Sequence, residues 1–149
     1  MNERFDKFTF LIWEIYRSIQ KIKKQEMENM GLKGNQVSCL YQLYNNKDGK
    51  TSTELCALCG DDKATISRTL SELEKEGYVF VEESDSQKYK NPYKLTDLGR
   101  KVGKTVSDKI DQMLNAGSEG IKENEREKFY EQLSLVLSNL QKIQEKYGD

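Results

Sequence analysis

Two short apolar runs separated by a three-residue turn constrain this chain more than any other feature. ELCALCG (Glu54–Gly60) closes on glycine, Asp61 and Asp62 follow, and KATISRTLSELEKEGY runs from Lys63 to Tyr78. In the second run Ile66, Leu70 and Leu73 recur at helical spacing and define one buried face. Thr51-x-x-Glu54 has capping-box spacing and opens the first run, while Asp62 can cap the second. Two helices joined by Gly60, Asp61 and Asp62 suit a helix-turn-helix. The outer face of its second helix is unusual. Ala64, Arg68 and Ser71 lie there, flanked by Thr65 and Ser67, and ordinary solubilising charge begins only at Glu72.

After Gly77 the period changes. YVFVEES is aromatic and β-branched and reads as a strand, NPYKLT reads as its return, and DSQKYK is the tip between them, which together make a wing. From Ser86 to Lys104 six cations (Lys88, Lys90, Lys94, Arg100, Lys101 and Lys104) face Asp97 alone, a local charge of +5. The whole chain carries a net charge of −1. A nucleic-acid binder of this composition must therefore work by local patterning and not by bulk charge. A lysine-bearing hairpin beside a helix with a small, hydroxyl-rich face suits DNA, with the helix in the major groove and the tip on the backbone. The expected contacts are Thr51, Ser52, Lys63, Ala64, Thr65, Ser67, Arg68 and Ser71 from the helices, and Lys88, Tyr89 and Lys90 from the wing.

Long helices flank this region. Phe5, Phe8, Ile12, Ile15, Ile19 and Ile22 step by three or four residues to about residue 29, where Gly31 and Gly34 should break the helix. Val37, Leu40 and Leu43 mark a second helix ending in the turn-rich NNKDGK. Thr96 and Asp97 can cap a fifth, carried by Leu98, Val102, Val106, Ile110 and Met113, and a sixth shows Phe129, Leu133, Val136, Leu137, Leu140 and Ile143. With 149 residues, one proline and 33% charged residues, the expectation is a single, mainly α domain with a small β-hairpin wing. Its helix-turn-helix region spans 31–104, between dimerisation helices at 1–30 and 105–149. Apolar stripes as long as those on the terminal helices usually mark an interface, so a symmetric dimer is expected.

Other classes are closed off by what the composition lacks. No histidine is present, which removes triads with a histidine base and imidazole metal sites. No paired acid and base or phosphate-cradling glycine loop appears, so neither enzyme activity nor a cofactor is expected. The apolar run Phe8–Trp13 ends at Glu14, too short for a signal-peptide core or a membrane span, and a cytoplasmic protein follows. Cys56 and Cys59 form a CxxC, and with Cys39 they could be thiolate ligands or a redox pair. The favoured expectation is burial: Leu55, Cys56, Leu58 and Cys59 as one packing face, and Cys39 within the series Val37, Leu40, Leu43.

LCALCGDDKATISRTLSELEKEGYV followed by a charged wing and Leu95-Thr96-Asp97-Leu98-Gly99 resembles the MarR (multiple antibiotic resistance regulator) family of winged helix-turn-helix transcription factors. The resemblance covers essentially the whole chain. Its most specific parts are TISR (Thr65–Arg68), the LExxGYV ending at Val79, and the LTxxG after the wing. It implies a homodimer in which the first, fifth and sixth helices intertwine, a pseudo-palindromic double-stranded DNA operator, repression, and release by a small ligand. Members commonly carry Asp-x-Arg in the wing; here Asp85 is followed by SQKYK, so Lys88 or Lys90 must substitute, a point charge in place of a planar fork. In the family's pattern all three cysteines fall on core positions. Its peroxide-sensing branch has the reactive cysteine in the first helix, where this chain has none.

A small aromatic effector is the remaining expectation. Trp13, Tyr16, Arg17, Tyr41 and Tyr44 could line a cavity between the first two helices suited to an aromatic anion, or serve simply as core packing. The alternatives to a DNA-binding repressor are a helical protein-interaction adaptor on the same scaffold, or a thiol- or metal-responsive regulator.

Overall fold

A computed structural model describes residues 3–82 and 91–148. Its elements run α1 (Glu3–Met30), α2 (Gly34–Asn45), α3 (Ser52–Cys59), α4 (Lys63–Lys75), β1 (Val79–Val81), β2 (Tyr93–Leu95), α5 (Asp97–Gly117) and α6 (Glu123–Tyr147). Two compact units result, Met1–Asp108 and Lys109–Asp149.

Local chemistry sets most of the boundaries in the first unit. α1 stops because Gly31 takes φ +67°, letting the Leu32 N–H turn back to the Met27 carbonyl at 2.9 Å. Gly34, expected as a second breaker, is instead the first residue of α2, behind an extended Lys33; an ordinary φ at the start of a helix does not interrupt it. Thr51 and Glu54 form the reciprocal box at α3: Thr51 Oγ1 accepts from the Glu54 N–H at 3.2 Å, and the Thr51 N–H donates to Glu54 Oε2 at 2.8 Å. Gly60 at φ +69° ends α3, and Asp62 Oδ1 then accepts from the Thr65 N–H at 2.7 Å to start α4.

The core of this unit draws on every element after α1. Leu40 and Leu43 from α2, Leu55 from α3, Ile66, Leu70 and Leu73 from α4, Val79 from β1, Leu95 from β2 and Val106 from α5 are buried together. Leu55 is the one buried residue of α3. The expected packing face of Leu55, Cys56, Leu58 and Cys59 is therefore wrong for three of its members: Leu58 is exposed and both cysteines are half-buried. An eight-residue helix pressed against α2 and α4 at one edge has room to bury only one side-chain row.

β1 and β2 pair antiparallel in the register Val79↔Leu95, Phe80↔Lys94, Val81↔Tyr93. Lys50, before α3, adds an isolated bridge to Tyr93, with N–H···O bonds of 3.1 and 2.9 Å in both directions. Two of the three most specific sequence signatures meet behind this hairpin. Thr96 Oγ1 accepts from the Gly99 N–H at 3.0 Å as the cap of α5, and donates to the Gly77 carbonyl at 2.6 Å. Gly99 lets α5 lie directly on the Tyr78 peptide; a Cβ there would overlap the Tyr78 carbonyl oxygen and stand 2.7 Å from its carbon. LTxxG and GYV are thus two halves of one joint.

In the second unit α6 buries none of its residues, and Leu135, Leu137, Leu140 and Ile143 are exposed.

Candidate nucleic-acid interface

The face of α4 away from the core carries Lys63, Ala64, Ser67, Arg68 and Ser71, all exposed, with Thr65 half-buried at its edge. The sequence placed these residues together and the helix keeps them together, because Ile66, Leu70 and Leu73 fix which side turns inward. Thr69, which the sequence did not single out, is buried and its hydroxyl donates to the Thr65 carbonyl at 2.8 Å. Thr51 and Ser52 are half-buried at the start of α3, with the Thr51 hydroxyl engaged in the cap. Lys88, Tyr89 and Lys90 lie outside the described residues.

Arg68 has a carboxylate one turn away at Glu72, the spacing at which helical ion pairs form. That pair does not form. Glu72 is drawn instead toward α2, where Lys33 Nζ donates to both of its oxygens at 3.0 Å and Gln36 Nε2 lies 3.5 Å from one of them. Gln36, itself buried, also donates to Glu76 at 3.3 Å. Among the described residues no carboxylate forms an ion pair with Arg68, so its five N–H donors stay available on the exposed face. Lys33, Asn35 and Gln36 line, with Thr65, Arg68, Thr69 and Glu72, a shallow cleft of about 220 Å³ at the root of that face. Sequence reading missed the α2 contribution, because the i,i+4 spacing of Arg68 and Glu72 points to a partnership that a residue from another helix takes over.

The cationic stretch after the wing is weaker than its local charge suggested. Lys94 pairs with Glu82 at 2.8 Å and Lys104 with Asp108 at 2.6 Å, both carboxylates lying just outside the 86–104 window. Arg100 and Lys101, in the first turn of α5, are exposed and carry no ion pair among the described residues. Two carboxyls support the helix starts. The Thr65 N–H holds Asp62, and the Thr51 N–H holds Glu54, below the usual carboxylate range.

The expected effector residues do not form a packed core within the chain. Trp13 is 60% and Tyr16 57% exposed on α1, and Arg17 reaches Glu14 at 3.4 Å; Tyr41 and Tyr44 on α2 are half-buried. Among the described residues no three histidine, cysteine or acidic side chains gather as a metal site. No helix among them is long and apolar enough to cross a membrane.

The model of the MarR family matches residues 30–88. No curated protein sequence matches the chain. Solved structures do. A Staphylococcus aureus MepR–DNA complex superposes with a TM-score of 0.78 at 22% identity over 94% of this chain and 99% of that one. A MarR-family transcriptional regulator from Silicibacter pomeroyi gives 0.78 at 24% identity, covering 88% of each. A Staphylococcus aureus MarR in complex with salicylate and kanamycin gives 0.79 at 19% identity, covering 95% of each. At these identities the likeness is one of fold, a winged helix-turn-helix between long terminal helices.

Proposed function

We propose that the chain is a MarR-type DNA-binding transcriptional regulator that represses as a homodimer on a pseudo-palindromic site, a reading supported by the match of the MarR family model to residues 30–88. The observation that carries the reading is the exposed face of α4, where small and hydroxyl side chains surround an Arg68 whose i+4 carboxylate, Glu72, is held by Lys33. Small residues admit a helix to the major groove, and an arginine fork bonds bidentately to guanine or to a phosphate. Thr51, Ser52 and the wing residues Lys88, Tyr89 and Lys90 then act on the backbone, fixing register more than sequence. The Staphylococcus aureus MepR structure, solved with DNA, supports DNA as the partner.

Homodimerisation follows from the apolar surface that the chain leaves uncovered. Phe5, Phe10, Trp13 and Ile15 on α1 and Leu135, Leu137, Leu140 and Ile143 on α6 are all exposed, which is more apolar surface than a soluble monomer ordinarily presents. The effector in this reading is a small aromatic anion met by Trp13, Tyr16, Arg17, Tyr41 and Tyr44. The Staphylococcus aureus MarR that holds salicylate supports that class of ligand.

The decisive experiment is selection of genomic fragments by the purified protein at moderate salt, followed by mobility shift on the enriched sequences. Enrichment of an inverted repeat that the protein retards as a dimer is the expected result. Recovery of random DNA only, or of none, would reject the reading.

A further inference from the structure

Arg68 and Glu72 stand one turn apart on α4, and a fixed point on α2 keeps them from pairing. Lys33 is the extended residue before α2, placed between Leu32 and Gln36, both of which are buried. Its N–H donates to Gln36 Oε1 at 2.9 Å, and its carbonyl accepts from the Val37 N–H at 3.1 Å. The backbone is pinned on both sides, and the ammonium meets both Glu72 oxygens at 3.0 Å.

Gln36 serves the same end from inside the fold. It is 2% exposed, and its amide spends every group it has: the oxygen accepts from Lys33, and the nitrogen donates to Glu76 at 3.3 Å and to Glu72 at 3.5 Å. Glu72 and Glu76 are themselves one turn apart and of like charge, a spacing that repels. Donors from α2 offset that repulsion. A lone surface ion pair contributes little, but here a buried, fully engaged amide holds the carboxylate in place beside the lysine. Glu72 shares one cleft with two cations, Lys33 and Arg68, and pairs with only the first. Asp62, whose charge also reaches Arg68, is engaged in the α4 cap.

We propose that Lys33, seated by Gln36, is a positioning residue for DNA reading: it withholds Glu72 from Arg68 and so decides which side chain of α4 meets the base edge. The inference rests on the reading of α4 as the DNA-contacting helix. Without Lys33, Glu72 pairs with Arg68 across one helical turn, which occupies part of the guanidinium fork and neutralises its charge. Arg68 then offers less to guanine or phosphate. A released Glu72 is also a reader of another kind, since a carboxylate accepts from the amino group of cytosine. The choice between these two readers is made on α2, outside the helix that touches the base.

The test compares the full-length wild type with Lys33→Ala, with Lys33→Ala combined with Glu72→Gln, and with Lys33→Arg, by mobility shift on the selected operator and on random DNA. The Lys33 side chain is 72% exposed, so its replacement leaves the fold intact. Lys33→Ala should weaken operator binding about 2-fold for each half-site, about 4-fold for a dimer on two, with less change on random DNA. Repeated selection with this variant should relax the same base position that Arg68→Ala relaxes. Adding Glu72→Gln should restore affinity and base preference, and Lys33→Arg should keep both. Wild-type binding by Lys33→Ala would overturn the proposal, as would a loss that is equal with Glu72 or Gln at position 72. A second readout needs no DNA. In the free protein the Arg68 Nε–H signal should shift and exchange more slowly with water in Lys33→Ala, and return to the wild-type position in the double variant; a signal that stays in place would overturn the proposal. Wild type that binds no DNA would instead reject the proposed function, and the free-protein spectra would still decide whether Lys33 governs the Arg68–Glu72 pair.

Discussion

The region from α2 to the start of α5 and the two terminal helices α1 and α6 use the same kind of residue in opposite ways. In the first, Leu40, Leu55, Ile66, Leu70, Leu73 and Val79 are sealed from water. In α1 and α6, helices of 28 and 25 residues with stripes no less apolar, no residue is buried. Apolar spacing alone therefore does not say whether a face closes on its own chain. The difference lies in connectivity. Three short helices and a hairpin can fold back on one another across tight glycine turns, whereas a helix of 28 residues, about 42 Å at 1.5 Å per residue, outruns anything a small unit can lay against it. On the proposal of a homodimer, the terminal helices meet their counterparts in a second copy of the chain.

The sharpest way to break that comparison is at the joint inside the closed region. Gly99→Ala places a methyl group on the Tyr78 carbonyl, so it should cost about 4 kcal/mol or leave the protein unfolded, read by thermal denaturation; a midpoint within a few degrees of wild type would show that α5 is free to move away. Next come paired substitutions of one residue type. Leu40→Ala, in the sealed core, should lower stability by about 2–5 kcal/mol whatever the assembly state. Leu137→Arg, at a position 57% exposed in the single chain, should leave helicity intact and abolish the dimer in sedimentation. Wild-type protein that sediments as a monomer at micromolar concentration would remove the distinction between the regions.

Smaller effects test the contact face. Arg68→Ala should cost about 1–3 kcal/mol on the selected operator and less on random DNA, compressing specificity. Lys33→Ala should reproduce part of that loss by freeing Glu72 to pair with Arg68, and adding Glu72→Gln should restore affinity. A Lys33→Ala variant that loses affinity equally with or without Glu72 would mean that Lys33 touches DNA directly. The least effect belongs to the helix starts. Asp62 is held below its ordinary value by the Thr65 N–H, so its contribution to stability is complete above the unfolded carboxylate range, near pH 4, and is lost as pH falls through the lower folded value. Asp62→Asn keeps a capping acceptor without titrating. Its urea midpoint should therefore fall less than that of wild type on acidification, and parallel curves would place the acid sensitivity elsewhere.

Features carried by neighbouring residues were readable from the sequence. The Thr51–Glu54 box, the Asp62 cap, the glycine at the end of α3 and the period of α4 each need only contacts within a few residues, and each appears where the spacing predicts. So does the hairpin, although its strands are shorter than the β-rich runs that announced it, covering Val79–Val81 and Tyr93–Leu95. The reading failed where residues far apart in the chain choose their partners. Lys50 joins Tyr93, Glu72 turns from Arg68 to Lys33, and Lys94 finds Glu82.

By itself the sequence determined that this chain makes six helices and a hairpin, that α4 presents small and hydroxyl side chains around Arg68, and that its terminal helices carry apolar stripes. These follow from backbone hydrogen bonding, capping and the 3.6-residue period, all of which act over one or two turns. Only the tertiary structure decided that Glu72 pairs with Lys33 and not with Arg68, that Gly99 is the contact point between α5 and the hairpin, and that Lys50 bridges to Tyr93. An ion pair, a close approach or a backbone bridge depends on which surfaces the packed core brings within a few ångströms, and packing is set by the fit of all the buried side chains at once.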